Sequence, residues 1–319
     1  MSSRAPKEIH EERLKMHNAN VANRVQYFDP KTDSFYEDLL EQRPCPTCKA
    51  NHEHFLFFKD GGRYVKCTEC DMVYLNPVFK DENLEKYYRT NHDLQSEIVA
   101  SDGDFYTNIY SKGLRAIERV VPKGNILDIG CSAGIFLDLA KNAGWKTFGV
   151  ELNEKEASYA AAKGHTIYNK FLSEVTFEAP LDAICLWDVF EHLKDGEAYL
   201  HEMKALLPQN GVVFLQIPSA DSLAAKMLRE KCNIYDGIEH VNLYSYKSIE
   251  KLALKCGFEI ESCETVIGEI GVMNNYLNYE DPYFGNSTNT KTFLGGLDEK
   301  WLHDQKMGYK MQLVLRKKG

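Results

Sequence analysis

One stretch constrains the fold of this chain more than any other: Asn125-Ile126-Leu127-Asp128-Ile129-Gly130-Cys131-Ser132-Ala133-Gly134, followed by Ile135-Phe136-Leu137-Asp138-Leu139-Ala140. A short apolar run, a glycine-marked turn and apolar residues at helical spacing predict a buried strand leading through a tight turn into a helix. Such a turn aims backbone N–H groups and a helix N-terminus at whatever sits above the strand's carboxyl end. Here the acidic residue precedes the glycines, at the strand tip. A carboxylate in that place repels a pyrophosphate but accepts hydrogen bonds from an ammonium group. The pattern, which also lacks the Gly-x-Gly-x-x-Gly order, points away from a nicotinamide dinucleotide and towards a cationic amino-acid cofactor.

From residue 124 onward the chain reads as strand–helix repeats, which predict an α/β fold with a parallel sheet covered by helices on both faces. The expected strands are Asn125–Ile129, Lys146–Val150, His165–Tyr168, Leu181–Leu186, Gly211–Ile217, Phe258–Val266 and Gly308–Arg316. Helices are expected near Ile135–Ala143, Glu154–Lys163, Gly196–Leu207, Leu223–Arg229 and Tyr246–Cys256. The Gly- and Asn-rich segment 268–307 is too long for a simple turn and reads as an inserted loop, over a site or at a subunit contact.

Upstream, Cys45-Pro46-Thr47-Cys48 is separated by eighteen residues from Cys67-Thr68-Glu69-Cys70. Two such knuckles joined by a hairpin make a closed tetrahedral set of four thiolates, which suits a structural Zn²⁺ and leaves no open coordination position. His54–Phe58 and Arg63–Lys66, joined across Asp60-Gly61-Gly62, are the expected hairpin strands. A strand ending at Asn76-Pro77 and a helix near Asn83–Tyr88 follow. The aromatics Tyr87, Tyr88, Phe105, Tyr106 and Tyr110 read equally as a lid or as core packing. The expected organisation is a helical arm over 1–41, including a helix within 8–25; a zinc ribbon over 42–80; a helical linker or lid over 81–122; and the main domain over 123–319.

Net charge is −9, from 38 Lys and Arg against 47 Asp and Glu. That balance lowers the expectation of a nucleic-acid substrate, and Arg316-Lys317-Lys318 is the only basic cluster evident. No apolar run approaches the roughly 18 residues of a membrane span, and the N-terminus lacks the apolar core of a signal peptide. A cytoplasmic location is expected. Nine cysteines, an odd number, fit a reducing compartment, with the two pairs holding metal and the five single ones packed as thiols.

The second strand, Lys146–Val150, ends at Glu151, about 20 residues beyond the turn, where a carboxylate can accept ribose hydroxyls. With Asp128, Glu151, Ala183-Ile184-Cys185-Leu186-Trp187-Asp188-Val189-Phe190-Glu191-His192-Leu193, Leu207–Gly211 and Glu239–Tyr246 on the page, residues 125–266 resemble the class I S-adenosylmethionine-dependent methyltransferases, specifically their small-molecule branch. The resemblance implies a Rossmann-like seven-stranded sheet. It implies that Asp128, Gly130, Cys131, Ser132 and Gly134 hold the methionyl and ribose parts of S-adenosylmethionine. Glu151, with Leu152 beside it, would bind the ribose. Phe171 and Leu172 would flank the adenine, and Trp187 and Asp188 would line the site. Ser132 occupies a position where many members carry glycine. The four-cysteine ribbon with its Asn-Pro strand and Tyr-Tyr helix is similar to the N-terminal domain of sugar C-methyltransferases and related glycan-modifying methyltransferases, which leaves the acceptor open.

Methyl transfer needs a positioned nucleophile and a base to take its proton. Glu191-His192 lies just past the carboxyl end of the fourth strand, where open α/β sheets bind ligands. His192 is the first candidate base and His240 the second, with Tyr244 and Glu191 as further candidate catalytic residues. Either histidine could instead be a structural residue. In quinone O-methyltransferases sharing the Glu-His tail a divalent cation can take part. The expected activity is methyl transfer to a small molecule, a sugar, nucleotide-sugar or related metabolite, at O, C or N. The alternatives are an rRNA base methyltransferase with an N-terminal zinc domain and a non-catalytic binding scaffold. Self-association is left open.

Overall fold

The computed structural model describes residues 24–32, 34–90, 103–278 and 294–318. In chain order these form strands β1 (Glu53–Lys59), β2 (Gly62–Cys67) and β3 (Val73–Leu75), then helices α1 (Asp81–Thr90) and α2 (Gly103–Glu118). Next come β4 (Asn125–Ile129), α3 (Ile135–Asn142), β5 (Lys146–Val150), α4 (Glu154–Ala162), β6 (Thr166–Tyr168), β7 (Ala183–Trp187), α5 (Gly196–Leu206) and β8 (Val212–Pro218). The chain continues through α6 (Leu223–Leu228), β9 (Asn242–Leu243), α7 (Tyr246–Lys255), β10 (Phe258–Val266), α8 (Ile270–Leu277), α9 (Glu299–Asp304) and β11 (Lys310–Lys317). It divides into two compact units: a ribbon unit of 1–93, 218–249 and 265–310, and a sheet unit of 94–217, 250–264 and 311–319.

The sheet unit is organised by a seven-stranded sheet of order β6-β5-β4-β7-β8-β11-β10. The β6–β5, β5–β4, β4–β7 and β7–β8 pairings are parallel. Lys317 N donates to Gly211 O and Ser219 N to Tyr309 O, so β11 runs antiparallel to β8. Every residue of β7 and β8 is buried, as expected of strands covered on both faces, and this is why they read as apolar runs, broken only by Gln216 in β8. Ile117, Phe136, Leu137, Trp187, Phe214 and Val314 lie in one core cluster, where each large side chain stabilises by about 1.5–3 kcal/mol through burial. Helix α2 reaches this core through Gly113, where a Cβ would lie 2.4 Å from Trp187 and 2.6 Å from Phe214.

Among the described aromatics of the 81–122 segment Tyr87 lies in the core, while Phe105, Tyr106 and Tyr110 are partly buried. Tyr87 is fully buried in the ribbon unit, and Tyr110 packs edge-on against Trp187 at 4.7 Å in the sheet unit. Helix α2, Gly103–Glu118, leads from this segment towards β4.

In the ribbon unit β1 and β2 form the expected hairpin, closed by Asp60 (φ 45°) and Gly61 (φ 86°) between the paired Lys59 and Gly62. Two positive φ values match the right-handed twist of a two-residue hairpin turn. The four-stranded order is β9-β3-β2-β1. Phe57, Tyr64, Val73 and Leu75 share a core with Leu228, Ile234, Tyr235, Leu243 and Met273. Residues 218–249 and 265–310 therefore complete the ribbon's core, whereas the sequence was read as one domain over 123–319. The segment read as an inserted loop over 268–307 carries helices α8 and α9, and its middle lies outside the described residues. Most of the helix expected within 8–25 lies outside them too.

Candidate functional site

Asp128 lies near the end of β4, and the chain then turns sharply. Gly130 has φ 74° and donates its N–H to Val150 O at 2.8 Å; a Cβ there would lie 2.7 Å from Val189 Cγ2. Only glycine fits that approach and that dihedral. Ser132 also has a positive φ, 48°, and its hydroxyl donates to Glu156 Oε2 at 2.5 Å. Glu156, on α4, is almost fully buried. The Cys131 side chain is buried in the core, in the space that Gly149 leaves open. Cys131 thus offers a ligand its backbone, not its thiol.

Asp128 is 2% exposed, and its Oδ1 has no hydrogen-bond partner among the described residues. Burial, and then the neighbouring Glu151 carboxylate, pushes its pKa well above the usual carboxylate range. Glu151 is also raised by burial; its Oε2 accepts Ser132 N–H at 2.9 Å and its Oε1 accepts Asn153 N–H at 2.8 Å. Glu151 thereby ties the turn after β4 to the turn after β5. Two buried carboxylates destabilise each other's ionised forms, and a cation placed beside them relieves that cost.

Leu152 and Phe171 are large apolar side chains left 54% and 44% exposed, while Leu172 is buried. Trp187 is buried, and its Nε1 has no hydrogen-bond partner among the described residues. Asp188 has φ 55° and accepts from Gln216 Nε2 at 2.9 Å. Gln216 Oε1 in turn accepts from Gln312 Nε2 at 2.9 Å. This buried relay was not foreseen, although a glutamine inside each of the apolar runs Val-Val-Phe-Leu-Gln-Ile and Met-Gln-Leu-Val-Leu was its signal. Tyr110 was also not singled out as a site residue. Burial first, and then the charges of Asp128 and Asp188, push its phenol pKa up.

Glu191 is buried, and His192 is partly exposed at the end of a single helical turn, Phe190–His192, after β7. His240 and Tyr244 belong to the ribbon unit. There Asp236 Oδ1 accepts the N–H groups of Ile238, Glu239 and His240. His240 Nδ1 lies 2.7 Å from Ile234 O. A carbonyl only accepts, so Nδ1 carries the proton and Nε2 is the basic nitrogen of the neutral ring. Tyr244 is fully buried.

The four knuckle cysteines converge. Cys45 and Cys70 sulfurs are 3.5 Å apart, as are those of Cys48 and Cys67, and all four lie within 4.8 Å of one another. The knuckles share one geometry, in which Lys49 N donates to Cys45 O and Asp71 N to Cys67 O, with positive φ at Lys49 and Asp71. A tetrahedron of thiolates about 2.3 Å from a zinc ion has sulfurs roughly 3.8 Å apart, so the donor set fits that cation.

Residues 105–263 match the sequence model of the family described as a methyltransferase domain. They supply most of the seven-stranded sheet of a class I S-adenosylmethionine-dependent methyltransferase domain, and the protein is a methyltransferase of that kind. The chain is 27% identical over 164 residues to an uncharacterised protein of Methanocaldococcus jannaschii, covering 51% of this chain and 78% of that one. It is 24% identical over 110 residues to the ubiquinone biosynthesis O-methyltransferase of Pelagibacter ubique, covering 32% of this chain but only 45% of that enzyme. The plantazolicin methyltransferase BpumL, solved with S-adenosylhomocysteine, has a similar fold, with TM-score 0.51, 15% identity, and coverage of 74% and 94% of the two chains. No helix among the described residues is long and apolar enough to cross a membrane.

Proposed function

We propose that this enzyme methylates a small-molecule acceptor, of the sugar, nucleotide-sugar or related metabolite class, with His192 as the base. The observation that carries the reading is Asp128 Oδ1, buried and without a hydrogen-bond partner among the described residues, next to a second buried carboxylate. An α-ammonium group answers both features, and the orphaned Trp187 Nε1 offers one more donor to a polar ligand. S-adenosylmethionine supplies an electrophilic methyl group when bound. Asp128 accepts from its ammonium group. The turn at Gly130–Gly134 lets the backbone come close, and Glu151 keeps lone pairs for ribose hydroxyls. Leu152, Phe171 and Leu172 offer apolar surface to the adenine. Trp187, Tyr110 and Asp188 wall the site. His192 takes the acceptor's proton, with Glu191 beside it in sequence, while His240 and Tyr244 are the alternative set.

In this reading Cys45, Cys48, Cys67 and Cys70 hold a structural zinc ion, which leaves no position for chemistry. The acidic balance of −9 favours a small acceptor over RNA. The test is a labelled-methyl transfer assay across sugar nucleotides, quinols, amines and RNA. Transfer to a sugar-type acceptor, with turnover falling about 10²- to 10⁴-fold in His192→Ala, is the expected result. Transfer to RNA alone, or full turnover by the variant, would overturn the acceptor class or the base assignment respectively.

A further inference from the structure

The ribbon unit contains a cavity of about 340 Å³ that the methyl-transfer chemistry does not use. Its size falls at the lower end of the roughly 300–1,000 Å³ typical of small-molecule sites. Lys66, Lys226, Arg229 and Lys247 line it, against Asp71 and Asp221. In a chain of net charge −9 such a local excess of cations is unusual.

The charges are arranged around sharing. Asp71 is held by two lysines, Lys66 at 3.0 Å and Lys247 at 2.7 Å, while Lys226 lies 3.7 Å from Asp221. Arg229 lies over the Phe57 ring, 5.8 Å from its centroid, and donates to Leu56 O at 3.0 Å. Stacking and a backbone bond fix the plane of the guanidinium, which is how a fork of donors is preorganised for an oxyanion. Arg229 also has φ 49° and ψ −123°, a conformation that costs a non-glycine residue energy.

A second, separate feature marks the same cavity. Tyr235 lines it, is 4% exposed, and its hydroxyl makes no hydrogen bond among the described residues. Its ring is fixed edge-on to Phe57 at 4.8 Å and to Tyr64 at 5.0 Å. The fixed ring holds the hydroxyl at the cavity wall, where a ligand oxygen can replace the water that otherwise meets it.

We propose that this cavity binds a phosphate-bearing small molecule, with Arg229 and Lys226 neutralising the phosphate and the Tyr235 hydroxyl donating to it. A phosphate offers the charge and the multiple acceptor oxygens that match a guanidinium fork, an ammonium and a phenol together. Lys66 and Lys247 contribute to the field, but both are engaged by Asp71. The decisive residues are therefore Lys226, Arg229 and Tyr235.

The inference does not depend on the acceptor proposed above, and its test reads binding, not turnover. The protein as purified, without chelator, is titrated calorimetrically with pyrophosphate, glucose 1-phosphate, adenosine diphosphate and, as the uncharged control, glucose. S-adenosylmethionine is titrated in parallel. Saturable binding of at least one phosphate-bearing probe at sub-millimolar concentration is expected, with none for glucose. The Lys226→Gln/Arg229→Gln variant should bind that probe at least tenfold more weakly, and Tyr235→Phe severalfold more weakly, with S-adenosylmethionine affinity kept in both. Absence of binding by every phosphate-bearing probe, or undiminished binding by the double variant, would overturn the proposal. Which probe binds most tightly identifies the organic part of the ligand.

Discussion

The hydroxyl of Ser132 meets the buried carboxylate of Glu156 at 2.5 Å, locking the turn after β4 to helix α4. A glycine at 132 would adopt φ 48° without cost but could not make this bond.

Two substitutions separate those effects. Ser132→Ala loses the bond and keeps the strained backbone, so unfolding free energy should fall by about 1.5–3 kcal/mol. Ser132→Gly loses the same bond but removes a left-handed penalty of about 1–2 kcal/mol, and should be the milder change. Urea titrations compare them; equal losses would show that the dihedral carries no cost.

Asp128→Asn should weaken S-adenosylmethionine binding about ten- to hundredfold, the scale of one hydrogen bond to a charged group. The ligand-free variant should nevertheless melt higher than the native protein, because a buried carboxylate is gone from beside Glu151. Calorimetric titration and thermal melts read the two effects. A variant that melts lower would show that the charge is satisfied some other way.

The pH dependence follows from the sign of the Asp128 shift. Its pKa in the folded, ligand-free protein is raised by burial and Glu151 above the unfolded value, about 3.9. The folded state then binds more protons, so this group's stabilising contribution is complete below that value and is lost as pH rises through the folded one. The melting advantage of Asp128→Asn should accordingly widen as pH rises from about 4. A cationic cofactor favours the ionised form, so binding should release protons. Titrations in buffers of different ionisation enthalpy would detect the release, and a buffer-independent enthalpy would rule it out.

If the four cysteines hold zinc, the purified protein should contain about one zinc per chain by elemental analysis. Cys67→Ser or a strong chelator should then raise amide exchange over 45–80. The loss should spread to 218–249, because Tyr64 and Val73 share a core with Ile234 and Leu243. Protection unchanged after metal removal would mean that packing alone holds the ribbon.

The sheet was legible in the sequence because strands such as Ala183–Trp187 are buried on both faces and so are almost wholly apolar. The hairpin was legible because Asp60 and Gly61 supply the two positive φ values. That Asp128 and Glu151 lie near one another followed from their places at the ends of neighbouring parallel strands. The partnership of residues 218–249 with the ribbon was not, because the packing of Tyr64 against Tyr235 leaves no local pattern in either segment. Ser132–Glu156 was hidden for a related reason: Glu156 lies in a first helical turn with Glu154, where acidic residues need no further explanation. Gln216 and Gln312 were visible as polar residues in apolar strands, but their relay to Asp188 depends on which strands become neighbours.

The ribbon unit is drawn from three separate stretches of chain, ending at 93, 249 and 310. During translation the knuckle at Cys67 and Cys70 emerges early, while the last of those stretches is still unmade. At about 5–20 residues per second, synthesis from there to Lys310 takes on the order of ten to fifty seconds. Through that interval the four thiols have metal or oxidants to meet before they have a complete core around them. A nascent chain halted just after Cys263 would hold all four knuckle cysteines and still lack the third part of the unit that shelters them.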